Sequence, residues 1–314
     1  MTRASRRRRE QPGPSGFLVV DKPAGMTSHD VVDAARRALG TRRIGHLGTL
    51  DPLATGVLPL AVRDATKLVP YVASDPKVYA GSIELGVATD TFDAEGAVLS
   101  RHAGPLPEEQ AVRAALAGFL GEILQVPPMY SSVKHEGEPL HRIARRGGHV
   151  ERAPRKVRIH SIEVQGYRPP LVDVEVVCAG GTYVRSLAED LGRELGCGAH
   201  LANLRRTRSG PFLAAQAVTL GALEEAAARG EAEVLLLSPV TVLGLPEVWL
   251  TPAQVRRVSH GGEIPAPPAA GPPPAPGTRV TALDGEGTLI ALMEVRPDRR
   301  LYPLRVIHSV APQG

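Results

Sequence analysis

The sequence predicts an α+β protein: a mixed, mainly antiparallel sheet flanked by helices, followed by a small β-rich domain. Three observations carry that expectation. Two strand-like runs, 155–167 and 171–179, lie on either side of Pro169-Pro170, as the arms of an antiparallel pair would. Helical periodicity recurs between strand-like segments, most clearly over 107–120, where Val112, Ala115, Leu116, Phe119 and Leu120 share one face behind Pro107. The composition shifts near 243–247, and short strands dominate beyond it. A chain of 314 residues suits one large and one small domain, and 43% hydrophobic residues suffice for a real core.

In chain order, residues 1–15 are Arg-rich, contain Pro and Gly and show no apolar period, so they read as a disordered basic tail. A buried strand follows at 16–20, then a turn at Lys22-Pro23-Ala24-Gly25. Ser28 is placed to cap a helix carrying Val31, Val32, Ala35, Ala38 and Leu39 on one face, and Gly40 ends it. Residues 64–72 read as a short helix, 77–86 as an alternating strand and 90–96 as a turn. The segment 127–131 is too rich in proline for a central strand, and 139–146 forms a short basic helix. Gly180-Gly181 leads into a helix with Val184, Leu187, Ala188, Leu191 and Leu195 on one face; 219–229 is an Ala-rich helix, and 231–237 an apolar run. The C-terminal part offers a short helix at 251–258, a Pro/Ala/Gly-rich insert at 264–277, and strands at 278–283, 288–295 and 304–307.

Composition narrows the partners. No run approaches transmembrane length and no signal region opens the chain, so the expectation is a cytoplasmic protein without a membrane partner. Two cysteines, Cys178 and Cys197, are too few for a disulfide framework, and no Cys/His cluster has zinc-ligand spacing; neither metal nor cofactor is expected. The net charge is only +4, yet the basic residues clump at 6–9, 42–43, 142–146, 152–158 and 205–208. Five such clusters favour a nucleic-acid surface, with Arg suited to phosphate forks. The candidate RNA contacts are Lys22, Arg42, Arg43, Lys77, Arg142, Arg145, Arg146, Arg155, Arg205 and Arg206. Lys22, at a strand-to-loop junction, is equally readable as an ordinary surface lysine.

The chain is organised around Gly45-His46-Leu47-Gly48-Thr49-Leu50-Asp51-Pro52-Leu53-Ala54-Thr55-Gly56-Val57-Leu58, which has neither helical nor strand periodicity. Asp51 is its only acid, and the following proline biases it toward an extended or turn backbone. On the residues alone Asp51 is either a turn cap or a catalytic carboxylate on a shaped loop. Arg185 sits at the start of a helix, where the dipole disfavours a cation, and that conflict points to a functional role. Tyr183 stands at the same junction, positioned to reach a pocket. Tyr79 and Leu204 are ordinary core residues by default, and a lone histidine such as His46 is most often structural.

The Asp51 loop closely resembles the signature of the TruB-type tRNA pseudouridine synthases. Further matches follow in that family's order: Gly16-Phe17-Leu18-Val19-Val20-Asp21-Lys22-Pro23, Lys77-Val78-Tyr79-Ala80-Gly81, Pro127-Pro128-Met129-Tyr130-Ser131, Gly181-Thr182-Tyr183-Val184-Arg185-Ser186-Leu187, and Leu204-Arg205-Arg206-Thr207-Arg208-Ser209-Gly210. Together they span about residues 16 to 213. Ser132 and His141 depart from the family's usual Ala and Tyr, in an RNA-facing insertion.

The resemblance implies a pseudouridine-synthase-like catalytic domain over 16–245 and a PUA-like RNA-binding domain over 246–314. It implies a monomeric enzyme acting on uridine 55 in the T-arm stem-loop of tRNA, with base flipping. Asp51 would be the nucleophile at the ribose anomeric carbon, with electrostatic stabilisation of cleavage or removal of the 2′ proton as the other roles a carboxylate could play. Tyr79 would stack on the base and could accept a proton, Arg185 would hold Asp51 ionised, Tyr183 and Leu204 would line the pocket, and His46 would fill the space the flipped nucleotide leaves. Two alternatives stand beside this: a guide-RNA-dependent pseudouridine synthase, and a tRNA-folding chaperone with catalysis secondary.

Overall fold

The computed structural model describes residues 13–131, 133–148, 150–266 and 275–307. The expectation for the basic tail therefore falls almost wholly outside the described residues, as do the middle of the Pro-rich insert, Ser132 and the side chain of His141.

Residues with both faces apolar build the first strand, β1 (Gly16–Lys22), in which Leu18 and Val20 point to one core and Phe17 and Val19 to another. Helix α1 (Ser28–Ala38) follows. Its cap is Thr27, not the expected Ser28: Thr27 and Asp30 form a reciprocal capping box, which leaves the Ser28 hydroxyl free for another task. Strand β2 (Ile44–His46) and strand β3 (Thr55–Val62) flank the Asp51 loop. The segment Arg63–Tyr71 is a 3-10 helix rather than the α-helix its spacing suggests, and Pro70 lies inside it.

Strand β4 (Lys77–Leu85) is followed by the hairpin β5 (Val87–Thr89) and β6 (Val98–Arg101), then α2 (Glu109–Ala117) and β7 (Gly121–Gln125). The two-residue strands β8 (Lys134–His135) and β9 (Glu138–Pro139) lead into α3 (Leu140–Arg145). Strands β10 (Arg155–Arg168) and β11 (Leu171–Cys178) pair antiparallel across Pro169-Pro170, as expected. Next come α4 (Val184–Glu194), β12 (Ala199–Ser209), β13 (Phe212–Leu213), α5 (Leu220–Ala228) and α6 (Pro239–Leu243), and then the C-terminal elements β14 (Glu247–Trp249), α7 (Pro252–Ser259), β15 (Ile264–Pro265), β16 (Arg279–Leu283), β17 (Leu289–Val295) and β18 (Arg300–Val306). The last strand starts earlier than its apolar residues alone indicate.

The main sheet has nine strands in the order β1-β3-β12-β4-β11-β10-β7, with β2 on β3 and β13 on β12. Within that sheet only the short β12–β3 contact is parallel, so the sheet is mixed and mainly antiparallel. Helices α1 and α4 cover one face, where Val31, Ala35, Leu187 and Leu191 pack on Leu58, Leu60, Val174 and Val176. The other face meets the C-terminal sheet, ordered β14-β16-β17-β18-β15. A shared core joins the two: Phe17, Val57, Leu68 and Phe212 from the main body, Leu283, Leu289, Leu292 and Ile307 from the second sheet. Arg279 and Arg305 also stack on the Tyr71 ring, and Lys67 Nζ donates to the Val306 carbonyl.

This shared core couples the two sheets. Leu292→Ala, at a fully buried position, should destabilise the protein by about 2–5 kcal/mol while calorimetry still shows one unfolding transition. Two resolved transitions would mean that the sheets unfold independently.

Candidate active site

The Asp51 loop crosses the end of the main sheet between β2 and β3, and it is fastened from below at several points. The Ser28 hydroxyl donates to the Leu50 carbonyl at 2.9 Å and accepts the Leu50 N–H at 2.8 Å, next to Asp51. The Pro52 carbonyl accepts the Gly25 N–H at 2.9 Å and the Lys22 ammonium at 3.2 Å. Arg206 reaches the carbonyls of Gly48, Thr49 and Val57. At Gly56, with φ +96°, β3 presses so close to β12 that an added Cβ would lie 2.2 Å from the Arg206 carbonyl oxygen.

Against this frame Asp51 presents its carboxylate to a cleft of about 620 Å³ whose wall includes Thr27, His46, Asp93, Tyr130 and Arg185. The Asp51 side chain is 35% exposed, and its Oδ2 lies 2.9 Å from Nη2 of Arg185, which is 4% exposed. Arg185 sits in the first turn of α4. Its Nη1 meets Asp93 Oδ2 at 3.3 Å and donates to the Thr91 carbonyl at 3.0 Å, while Nη2 also donates to the Tyr130 carbonyl at 2.8 Å. A cation at a helix start is thus held by two carboxylates and two carbonyls, which explains the conflict with the helix dipole. Burial pushes the Asp51 carboxyl above the usual carboxylate range; Arg185 opposes that shift, Asp93 adds to it and Lys22 opposes it more weakly.

The start of α4 is itself clamped. The Gln125 side chain donates to the Tyr183 carbonyl at 3.0 Å and accepts the Tyr183 N–H at 2.8 Å, and Ser186 Oγ donates to the Val126 carbonyl. Burial raises the pKa of the Tyr183 phenol, and Ser131 opposes that shift. Neither Asp93 nor Gln125 is singled out by sequence reasoning. Asp93 is one acid among several in an acidic turn, and nothing around Gln125 marks it as a bracket.

The structure relocates several expected residues. Tyr79 and Leu204 are 7% and 8% exposed and lie behind the cleft rather than in its open wall, and Tyr183 is half-buried and also outside that wall. His46 does line the cleft; its Nδ1 accepts the Gly48 N–H at 3.4 Å, and burial followed by Arg206 holds its pKa below the ordinary value. Two expected RNA contacts are corrected. Lys22 and Arg206 are fully buried, so neither reaches a phosphate on the surface; their charged ends are spent on loop carbonyls. Lys77 is half-buried against Gly48, with its pKa lowered by burial. Arg42, Arg43, Arg142, Arg145, Arg146, Arg155 and Arg205 are exposed, although Arg43 pairs with Asp64, Arg146 with Glu138, and Arg205 bidentately with Asp21 at 2.9 Å. Arg145 alone of these lines the cleft.

The architecture is pseudouridine-synthase-like. It matches a chain of a solved Cbf5-Nop10-Gar1 complex with a TM-score of 0.67 and 29% identity, covering 93% of this chain and 84% of that one. It also matches a chain of an H/ACA RNP bound to a substrate RNA containing 2′-deoxyuridine, with a TM-score of 0.67 and 27% identity, covering 93% and 84%. The chain belongs to the TruB family of pseudouridylate synthases: the model of that family's N-terminal domain matches residues 36–184, and that of the tRNA pseudouridylate synthase B C-terminal domain matches 185–241. Among curated relatives, tRNA pseudouridine synthase B of Aromatoleum aromaticum is 44% identical over 298 residues, 94% of either chain. The protein of the same name from Stutzerimonas stutzeri is 45% identical over 300 residues, 94% of this chain and 96% of that one. Among the described residues no helix is long and apolar enough to cross a membrane.

Burial lowers the pKa of Lys22 from the ordinary 10.5 to about 8. Between those values the unfolded chain binds more protons than the folded one, so the Lys22 contribution to stability grows as pH rises through that window. In urea unfolding of wild type and Lys22→Met, the wild-type-minus-variant difference should therefore become more favourable from about pH 7 to about pH 10. An unchanged difference would show that Lys22 does not titrate in that window.

Proposed function

We propose that this chain is a cytoplasmic enzyme that isomerises uridine to pseudouridine at position 55 in the T-loop of tRNA, everting the target base into the Asp51 cleft. The observation that carries the reading is the Asp51 carboxylate, open to the cleft on one side and gripped at 2.9 Å by a buried arginine on the other. Arg185 opposes the loss of charge that burial imposes on this carboxylate and fixes its direction, as attack on a sugar carbon requires. The near full-length relatives named tRNA pseudouridine synthase B support the same reading.

Asp51 attacks the ribose anomeric carbon as the bond from that carbon to uracil N1 breaks. The detached base turns, its C5 rejoins the anomeric carbon, the carboxylate leaves, and the proton on C5 is lost while N1 gains one. No atom is added or removed overall. Tyr79, directly behind the loop, supplies the stacking face for the turning base, and because the ring is covered in the RNA-free protein, entry of the base opens the wall in front of it. His46 fills the space the base vacates, replacing part of the roughly few kcal/mol lost on unstacking. The exposed arginines, with Arg145 at the cleft edge, hold the phosphates of the T-arm. A guide-dependent synthase remains the second reading, because the matched solved chains come from complexes with other proteins; their lower identity places it second.

The test is tritium release from uracil C5 of a labelled T-arm stem-loop. Wild type should release label, and Asp51→Asn should bind the RNA comparably yet release none. Tight binding without release by wild type would overturn the stand-alone reading.

The acidic limb of kcat should lie above the ordinary carboxylate value, because burial raises the pKa of Asp51 and only its ionised form attacks. Asp93→Asn removes a charge that adds to that shift, so the limb should move to lower pH. A limb that stays in place or moves up would remove Asp93 from the electrostatics of the site.

A further inference from the structure

We propose that Arg206 is a positioning residue for the reaction, a buried fork that locks the two limbs of the Asp51 loop to each other and to the sheet row that carries Tyr79. The proposal rests on the roles given above to Asp51 and Tyr79.

The strand register makes this possible. On β12, Arg206 lies opposite Tyr79 of β4 on one side and opposite Gly56 of β3 on the other. It therefore occupies the row of the sheet that holds both the tyrosine itself and Gly56 at the end of the loop. From that row its side chain runs under the loop. Nε donates to the Val57 carbonyl at 2.8 Å, Nη1 to the Thr49 carbonyl at 3.3 Å and Nη2 to the Gly48 carbonyl at 3.1 Å. Gly48 and Thr49 precede Asp51 and Val57 follows it, so one rigid planar group grips the backbone on both sides of the carboxylate. The guanidinium is fully buried, and these partners are carbonyl oxygens rather than carboxylates.

That partner set separates the role from two simpler ones. A phosphate contact needs an accessible guanidinium, and Arg206 has no exposed surface. A structural ion pair needs a carboxylate, which would offset the cost of burying the charge. Here the cost is offset by three loop carbonyls, so the charge and the loop conformation stabilise each other. The arrangement also places positive charge beside the Tyr79 oxygen, where it counters the rise that burial imposes on that phenol. Lysine cannot reproduce the fork: one ammonium reaches fewer of the three carbonyls and fixes no plane.

The test uses full-length Arg206→Lys and Arg206→Gln with the T-arm stem-loop. Single-turnover kcat should fall by about 10²-fold, as a loop displaced by about an ångström predicts, while KM for RNA changes by no more than about twofold. The slope of log Kd against log salt should be unchanged, because no phosphate contact is lost. Amide hydrogen exchange should speed up across residues 47–57 and stay as in wild type elsewhere. Full activity of both variants would overturn the proposal. So would a raised KM with a shallower salt slope, which would assign Arg206 to RNA binding. Global unfolding of both variants would assign it to the fold and overturn the proposal equally. An inactive wild type would instead defeat the functional reading beneath it.

Discussion

The site is arranged around one guanidinium taken out of water, that of Arg185, whose terminal nitrogens are met by two carboxylates and two carbonyls. These acceptors come from three separate segments, the Asp51 loop, the Thr91-Asp93 turn and the Tyr130 segment, and the arginine ties all three to α4. Segments far apart in sequence are thereby fixed relative to one another by a single charge. Of the two carboxylates Asp51 is the more open, at 35% side-chain exposure against 5% for Asp93, so holding the arginine and exposing a carboxylate are achieved by the same geometry. The pairing is also a compromise, since Asp93 stabilises Arg185 while disfavouring a second negative charge on Asp51.

The loop beneath follows the same logic with different chemistry. Its backbone carbonyls at Gly48, Thr49, Pro52 and Val57 are taken by buried side-chain cations, and Leu50 is bracketed by Ser28. A loop rich in glycine would otherwise carry high conformational entropy. Here the residues flanking Asp51 are tied to β1, α1 and β12, and at Gly56 β12 approaches too closely for a side chain.

The fold class was legible because it depends on periodicity, and periodicity is local. The hairpin across Pro169-Pro170, the apolar stripes of α1 and α4, and the strands after residue 278 each follow from runs of a few residues. The loop motif likewise exposed Asp51, and the dipole conflict exposed Arg185. What was not legible depends on distant contacts. Lys22 and Arg206 look like phosphate ligands in sequence because charge usually means surface, and only the fold shows that both are buried under the loop. Ser28 resembles a helix cap until Thr27 takes that place and Leu50 claims its hydroxyl. Gln125 has no local signature at all, since its role is defined by the backbone of Tyr183 fifty-eight residues away. Tyr79 and Leu204 were expected in the pocket, and the fold buries both of them.

The apolar layer between the two sheets has an evolutionary consequence. Phe17, Val57 and Phe212 of the main body interlock with Leu283, Leu289 and Leu292 of the second sheet, so neither set can drift in size without the other. The C-terminal sheet is therefore not a cassette that could be exchanged freely among relatives. A transplanted version would bring its own inner face, and the mismatch would be felt on β1 and on β3, the strand that leaves the Asp51 loop.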